Sequence, residues 1–191
     1  MNKILYFLAV WVGFMFAGNI CAEAKINIFE KPRYIPALNI YDDAGNAYQL
    51  KDFHSDLVIA LLWSKTCGPC LGDLRHLGAF VEQTRKNGIE VILISPDKEW
   101  RSATDKRAFL KRLNAVNMVS FNDRNNRFKD GMGVGVTPTA ILVDRNGEEV
   151  GHITGSVKWD DPKVVRYMLD LRNKVSKQLD ESETADEQNQ E

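Results

Sequence analysis

Cysteine is scarce in this chain, and neither sign of charge is in excess. Three cysteines stand at positions 21, 67 and 70, and three histidines at 54, 76 and 152. The histidines are scattered without ligand spacing, so no histidine-built metal site is expected. The formal net charge is −1 with both signs interspersed, which lacks the basic patch of a nucleic-acid binder. No apolar run reaches the roughly 20 residues that a membrane span needs. A hydrophobic content of 44% over 191 residues is ordinary for a globular core and fits one domain once the two ends are set aside.

The N-terminus carries the nearest thing to a long apolar run. Asn2-Lys3 is a short positive start, Ile4 to Phe16 is apolar apart from Gly13, and Ala22-Glu23-Ala24 offers a small-x-small site. Residues 1–24 are expected to be a signal peptide, cleaved after Ala24 or Ala22, that delivers the chain to the periplasm. Left uncleaved, the segment would anchor the protein in the inner membrane, facing the periplasm. Lipid attachment at Cys21 is disfavoured by Ile20, where such signals carry a small residue. Cleavage leaves Cys67 and Cys70 as a pair in a disulfide-permissive compartment. Residues 25–36, with two prolines and little periodicity, read as a lead-in arm. Residues 178–191 have hardly an apolar group and read as a disordered acidic tail, leaving 37–177 as the folded domain.

Inside that domain, strand and helix patterns alternate. Ala37-Leu38-Asn39-Ile40 and Ala47-Tyr48-Gln49-Leu50 flank a turn-rich segment, a hairpin signal. Leu57 to Trp63 is continuously apolar, as in a strand buried on both faces. Leu71, Leu74, Leu77, Gly78 and Val81 fall at helical spacing, and Asn87-Gly88 closes that helix. Ile89 to Ile94 reads as another buried strand, followed by a helix that opens at Ser102 with capping-box spacing to Asp105. Met118 to Phe121, Ala140 to Asp144 and Glu148 to Thr154 read as strands, and Val164 to Leu171 as a last helix. The expectation is an α/β sandwich around a mostly parallel sheet.

Chemistry concentrates in Trp63-Ser64-Lys65-Thr66-Cys67-Gly68-Pro69-Cys70, where the apolar strand hands over to the first helix. A helix start presents unpaired N–H groups and a partial positive charge, which stabilise a thiolate on the first cysteine. Pro69 suits the first turn, because the N–H it lacks would have had no partner there. Cys67 therefore reads as nucleophile and Cys70 as resolving thiol. Half of a zinc site would show the same spacing, but no further cysteine remains to complete one.

WxxxCGPC resembles the active site of the thioredoxin superfamily, and its setting resembles the exported TlpA/ResA/DsbE-like branch. That resemblance implies a thioredoxin-like three-layer sandwich with a central mixed, mostly parallel sheet, an N-terminal β-hairpin and an extra strand–helix insertion. It implies an exported thiol–disulfide oxidoreductase with a redox-active Cys67–Cys70 disulfide, needing no cofactor and no metal, and the Gly-Pro spacer points towards a reductase. Its partners would be protein thiols and disulfides, apocytochrome c among the candidates, and a membrane electron donor. Gly133 to Gly147 resembles the family segment GVxxxPTxxLxDxxG, in which Pro138 takes the place of a cis-proline beside the dithiol. Read locally, Pro138 fits a trans proline at a strand entrance equally well. With a cis bond, Thr137 would offer its backbone to a substrate as a short added strand.

The resemblance also assigns neighbours. Trp63 matches the first tryptophan of the thioredoxin-type WxxWC segment and would shield the dithiol, while Thr66 replaces the second. Leu61 stands where cytoplasmic-type thioredoxins carry a buried Asp. Asp73, one helical turn past Cys70, matches an acidic residue implicated in moving the cysteine protons in ResA-like proteins. Equally, it could merely complement the helix dipole. Lys65 reads as a solvated loop charge and His76 as a surface residue. Three rivals remain. A thiol peroxidase would want Pro seven residues before its cysteine, where Ala60 stands, although Ser64 meets the hydroxyl position. A copper-binding chaperone could use Cys67, Cys70 and His152. A binding module could keep the disulfide for structure alone.

Overall fold

Every residue of the apolar run Leu57–Leu62 is buried, which requires cover on both faces and neighbours on both edges. The computed structural model of the protein, which describes residues 24–188, supplies both. The strands, in chain order, are β1 (Lys25–Arg33), β2 (Ile40–Tyr41), β3 (Ala47–Tyr48), β4 (Leu57–Leu62), β5 (Ile89–Pro96), β6 (Val119–Asp123), β7 (Thr139–Asp144) and β8 (Glu149–Thr154). The helices are α1 (Gly68–Thr84), α2 (Ala103–Arg112), α3 (Arg127–Gly131) and α4 (Pro162–Gln188). One eight-stranded sheet has the order β1-β8-β7-β4-β5-β6-β2-β3.

Alternate residues of β4 feed two cores. Leu57, Ile59 and Leu61 pack with Leu74, Leu77 and Phe80 of α1, Leu110 of α2 and Met168 and Leu171 of α4. Val58, Ala60 and Leu62 pack with Ile40 and Leu50 of the hairpin region, Phe121 of β6 and Phe128 of α3. The result is the expected thioredoxin-like sandwich, with the hairpin β2–β3 and the insertion β5–α2 in place. Gly78 lets α1 approach closely, since a Cβ there would lie 2.3 Å from the Asn114 carbonyl oxygen.

Three expectations need correction. The sheet is mixed, but only β4–β5 and β5–β6 pair in parallel; every other pairing is antiparallel. The β7–β8 hairpin, turning at Gly147 with φ +79°, makes that half of the sheet antiparallel. The lead-in arm is largely strand β1, an edge strand pairing with β8 from Lys25↔Thr154 to Arg33↔Glu149. Its side chains are mostly exposed, so backbone pairing holds most of it, and the alternation Ile26-Asn27-Ile28, with Ile28 packed on the core, is too brief to announce a strand of this length. The tail is helical through Gln188. Leu179, 8% exposed, continues the stripe of Val175 at i+4, and Arg145 pairs with Asp180 at 2.6 Å and Glu183 at 3.0 Å. A composition poor in apolar residues concealed one well-placed leucine. The signal-peptide reading, apart from Ala24, and Cys21 lie outside the described residues, as do 189–191. Among the described residues no helix is long and apolar enough to cross a membrane.

Candidate functional site

Cys67 is the N-cap of α1, with extended backbone at φ −88° and ψ 102°, and Pro69 falls in the first turn. Its sulfur accepts the Cys70 backbone N–H at 3.2 Å, so an orphan donor of the helix start points at the first sulfur. The two cysteines form a disulfide of 2.03 Å with Cα atoms 5.3 Å apart. Their exposure differs sharply. Cys67 is half-buried behind exposed Thr66, Gly68 and Pro69, whereas Cys70 is 0% exposed. An incoming thiol or disulfide meets Cys67 first.

The loop before β7 comes to the same sulfur across 70 residues of chain. The Thr137–Pro138 peptide is cis, and the Thr137 carbonyl oxygen lies 3.5 Å from Cys67 Sγ. In the disulfide neither sulfur carries a proton, so this is a contact; on reduction it becomes a place for the thiol proton. Pro138 is buried, Thr137 half-buried and Val136 57% exposed. A cleft of about 210 Å³ opens beside Thr137, lined by Trp63, Ser64, Glu99, Asp123 and Lys129 among others.

Trp63 is 1% exposed and belongs to the core cluster that includes Cys70 and meets Cys67. Its ring lies 5.6 Å from Trp100 and 6.1 Å from Phe109. Leu61 is buried and apolar. Asp73 is 1% exposed and accepts hydrogen bonds from Ser156 Oγ, from Val157 N at 3.1 Å and from Trp159 Nε1 at 3.3 Å. Burial pushes the Asp73 carboxyl above the usual carboxylate range, with the hydrogen bonds from Ser156, Val157 and Trp159 opposing that rise. Asp73 lies beyond the first turn of α1, which holds no acid, so a dipole partner would sit nearer the helix start. His76 is at the surface, with Nδ1 3.0 Å from Asp160.

Several residues went unread in the sequence. Ser156, Val157 and Trp159 surround Asp73 from 83 to 86 positions away. Glu99 was also missed, although it holds the turn before Cys67. Lys65, read as solvated, bonds through Nζ to the Glu99 carbonyl and lies 5.1 Å over Trp100. Strand register carries the signal that could have found Glu99. Because Leu62 pairs with Ile94 in parallel, whatever follows Ile94 must lie near whatever follows Leu62. His152 pairs with Glu149 at 3.1 Å and packs on Phe29. Among the described residues no three His, Cys, Asp or Glu side chains group as metal ligands.

The chain is similar to known proteins in sequence and in fold. The sequence matches the family described as Redoxin over residues 31–169. The thiol-disulfide oxidoreductase ResA of Bacillus thuringiensis is 26% identical over 159 residues, covering 80% of this chain and 84% of that one. ResA of Geobacillus kaustophilus is 25% identical over 126 residues, covering 66% and 70%. Among solved structures, a Chlorobium tepidum protein described as a thiol:disulfide interchange protein DsbE superposes with a TM-score of 0.62 at 22% identity, covering 75% of this chain and 99% of that one. StoA of Bacillus subtilis gives 0.56 at 14% identity, covering 72% and 99%. The chain belongs to the Redoxin family, is similar in sequence to ResA and has the thioredoxin-like fold of the solved structures it matches.

Proposed function

We propose that this protein is an exported thiol–disulfide oxidoreductase that works as a reductase of protein disulfides in the periplasm. The observation that carries the reading is the asymmetric disulfide at a helix start: Cys67 reachable and facing the Thr137 carbonyl, Cys70 sealed beneath it. In the reduced protein the Cys67 thiolate attacks one sulfur of a substrate disulfide and expels the other as a thiolate. Cys70 then loses its proton and attacks Cys67 Sγ, which releases the second substrate thiol and restores the Cys67–Cys70 disulfide. Two electrons have passed from the pair to the substrate. A thiol donor, in this reading a membrane protein, must return them by exchange in the opposite direction.

Asp73 is the base for the resolving step. Its raised affinity for a proton suits it to take one from Cys70. Thr137 and Pro138 receive the substrate backbone beside Cys67, and Trp63 backs the dithiol from the core. Apocytochrome c is one candidate substrate; the exposed rim at Val136 and Pro69 suits any extended disulfide-bearing segment. The N-terminal segment of residues 1–24 supports export.

Trapping tests the reading. A Cys70→Ser protein expressed with its own leader accumulates mixed disulfides through Cys67, recovered from the periplasmic fraction and released by reductant. Cys67→Ser traps none. Equal trapping by both variants, or by neither, would sink the assignment. Peroxide consumption by Cys70→Ser without any trapped protein would favour the peroxidase instead.

A further inference from the structure

Ser64, Lys65 and Thr66 make the turn between β4 and Cys67, and the insertion grips it. Glu99 Oε1 accepts from Ser64 Oγ at 2.5 Å and Oε2 accepts from Lys65 N at 2.9 Å. Lys65 Nζ donates to the Glu99 carbonyl and rests over Trp100. The grip is itself braced, because Trp100 packs on Trp63 and donates Nε1–H to Ser95 Oγ at 2.8 Å.

A carboxylate sets the direction of the remaining bonds. It can only accept, so the single hydroxyl proton of Ser64 goes to Glu99. The 2.8 Å contact between Ser64 Oγ and Thr66 Oγ1 must then be donated by Thr66. The Thr66 backbone N–H points to the same oxygen at 3.2 Å. The hydroxyl next to the nucleophile therefore gives its proton away from Cys67, the ammonium one residue earlier gives one of its three to the Glu99 backbone carbonyl, and a negative charge is fixed behind the turn.

We propose that Glu99 is a positioning residue that keeps the dithiol reducing, because its carboxylate withholds the Thr66 hydroxyl from the Cys67 thiolate through Ser64 and fixes a negative charge behind the turn. A thiolate deprived of donors and facing a like charge is less stable. The reduced form then loses stability relative to the disulfide, which makes the pair a stronger reductant. This inference rests on Cys67 being the attacking thiol and deepens the reductase reading.

The test uses the reduced two-cysteine protein. One measurement is the pH profile of iodoacetamide alkylation, assigned to Cys67 by peptide mapping; the other is the disulfide equilibrium with glutathione. Glu99→Gln keeps the shape and removes the charge. It should shift the Cys67 profile to lower pH and move the glutathione equilibrium about tenfold towards the reduced protein, about 30 mV for a two-electron couple. Ser64→Ala, which takes away the acceptor of the Thr66 proton, should move both readings the same way. Adding Thr66→Val to Glu99→Gln should reverse part of the shift, which a merely structural role for Glu99 would not produce. The two single substitutions lie on different segments, so misfolding of one leaves the other to decide. Unchanged readings in the folded variants, or a shift to higher pH, overturn the proposal. A wild-type protein alkylated at Cys70 in preference to Cys67 overturns the nucleophile assignment along with it.

Discussion

Asp73 and Glu99 make an instructive pair. One follows the dithiol on α1 and the other belongs to the insertion that grips the turn before it. Both accept hydrogen bonds from a serine hydroxyl and a backbone N–H. They differ in surroundings. Asp73 is sealed in, and desolvation raises its proton affinity, whereas Glu99 is only half-buried beside Lys65 and Trp100. In the proposed mechanism the same functional group serves as a proton acceptor where water is excluded and as a fixed charge and clamp where it is not. Burial, more than residue type, assigns the role.

Replacing Asp73 breaks the comparison most severely. Asp73→Asn is expected to slow resolution of a preformed Cys67 mixed disulfide by about 10²-fold, the usual size of a lost general base, while the first attack by Cys67 changes little. Stopped-flow release of a thiol reporter separates the two steps. The wild-type resolving rate should rise with pH through the elevated Asp73 value, and the Asn variant should lose that rise. A variant that slows both steps equally would make Asp73 a structural residue. Stability gives an independent check. An aspartate whose folded-state affinity for a proton is raised contributes stability that is complete below its ordinary value of 3.8 and is lost as pH rises through the folded value. The difference in melting temperature between wild type and Asp73→Asn should thus move in favour of the variant as pH is raised through that window.

What the sequence disclosed, and what it hid, follows the same division between near and far. The dithiol, its helix start and Asp73 are local in the chain, so spacing alone placed them on one helix. The hairpin, the insertion and the buried strands carried clear apolar periods. Pro138 was legible only through family likeness, because its approach to Cys67 depends on how β7 is set against β4. Strand β1 was hidden because its alternation is confined to Ile26-Asn27-Ile28 and runs at once into Phe29 and the prolines at 32 and 36. The far end of α4 was hidden because its attachment comes down to Leu179 and the Arg145 ion pairs. Ser156 and Glu99 were hidden for a different reason: hydrogen bonds between distant loops leave no periodic trace.

Removing one donor from Asp73 should have a milder effect than removing the carboxylate. Ser156→Ala deletes the hydroxyl that is the largest influence opposing the desolvation of Asp73. A hydrogen bond to a charged group favours its ionised form, so the resolving-rate profile should move to higher pH. Val157 N and Trp159 Nε1 remain in place and limit the change. Movement of the profile to lower pH would mean that Ser156 does not stabilise the ionised Asp73.

The smallest expected effect lies on the Glu99 side. Lys65→Met keeps the length of the side chain and its contact with Trp100 but removes the ammonium, and with it the bond to the Glu99 carbonyl and the cation over the ring. Because Lys65 is half-exposed, the loss should be about 0.5–1 kcal/mol of stability, measurable by urea unfolding of the oxidised protein. The backbone N–H of residue 65 still reaches Glu99 Oε2, so the turn should keep its shape and the Cys67 alkylation profile should stay within a few tenths of a pH unit of wild type. A large shift there would mean that the lysine charge already acts on Cys67, and that the division of labour between a buried base and a peripheral clamp is drawn in the wrong place.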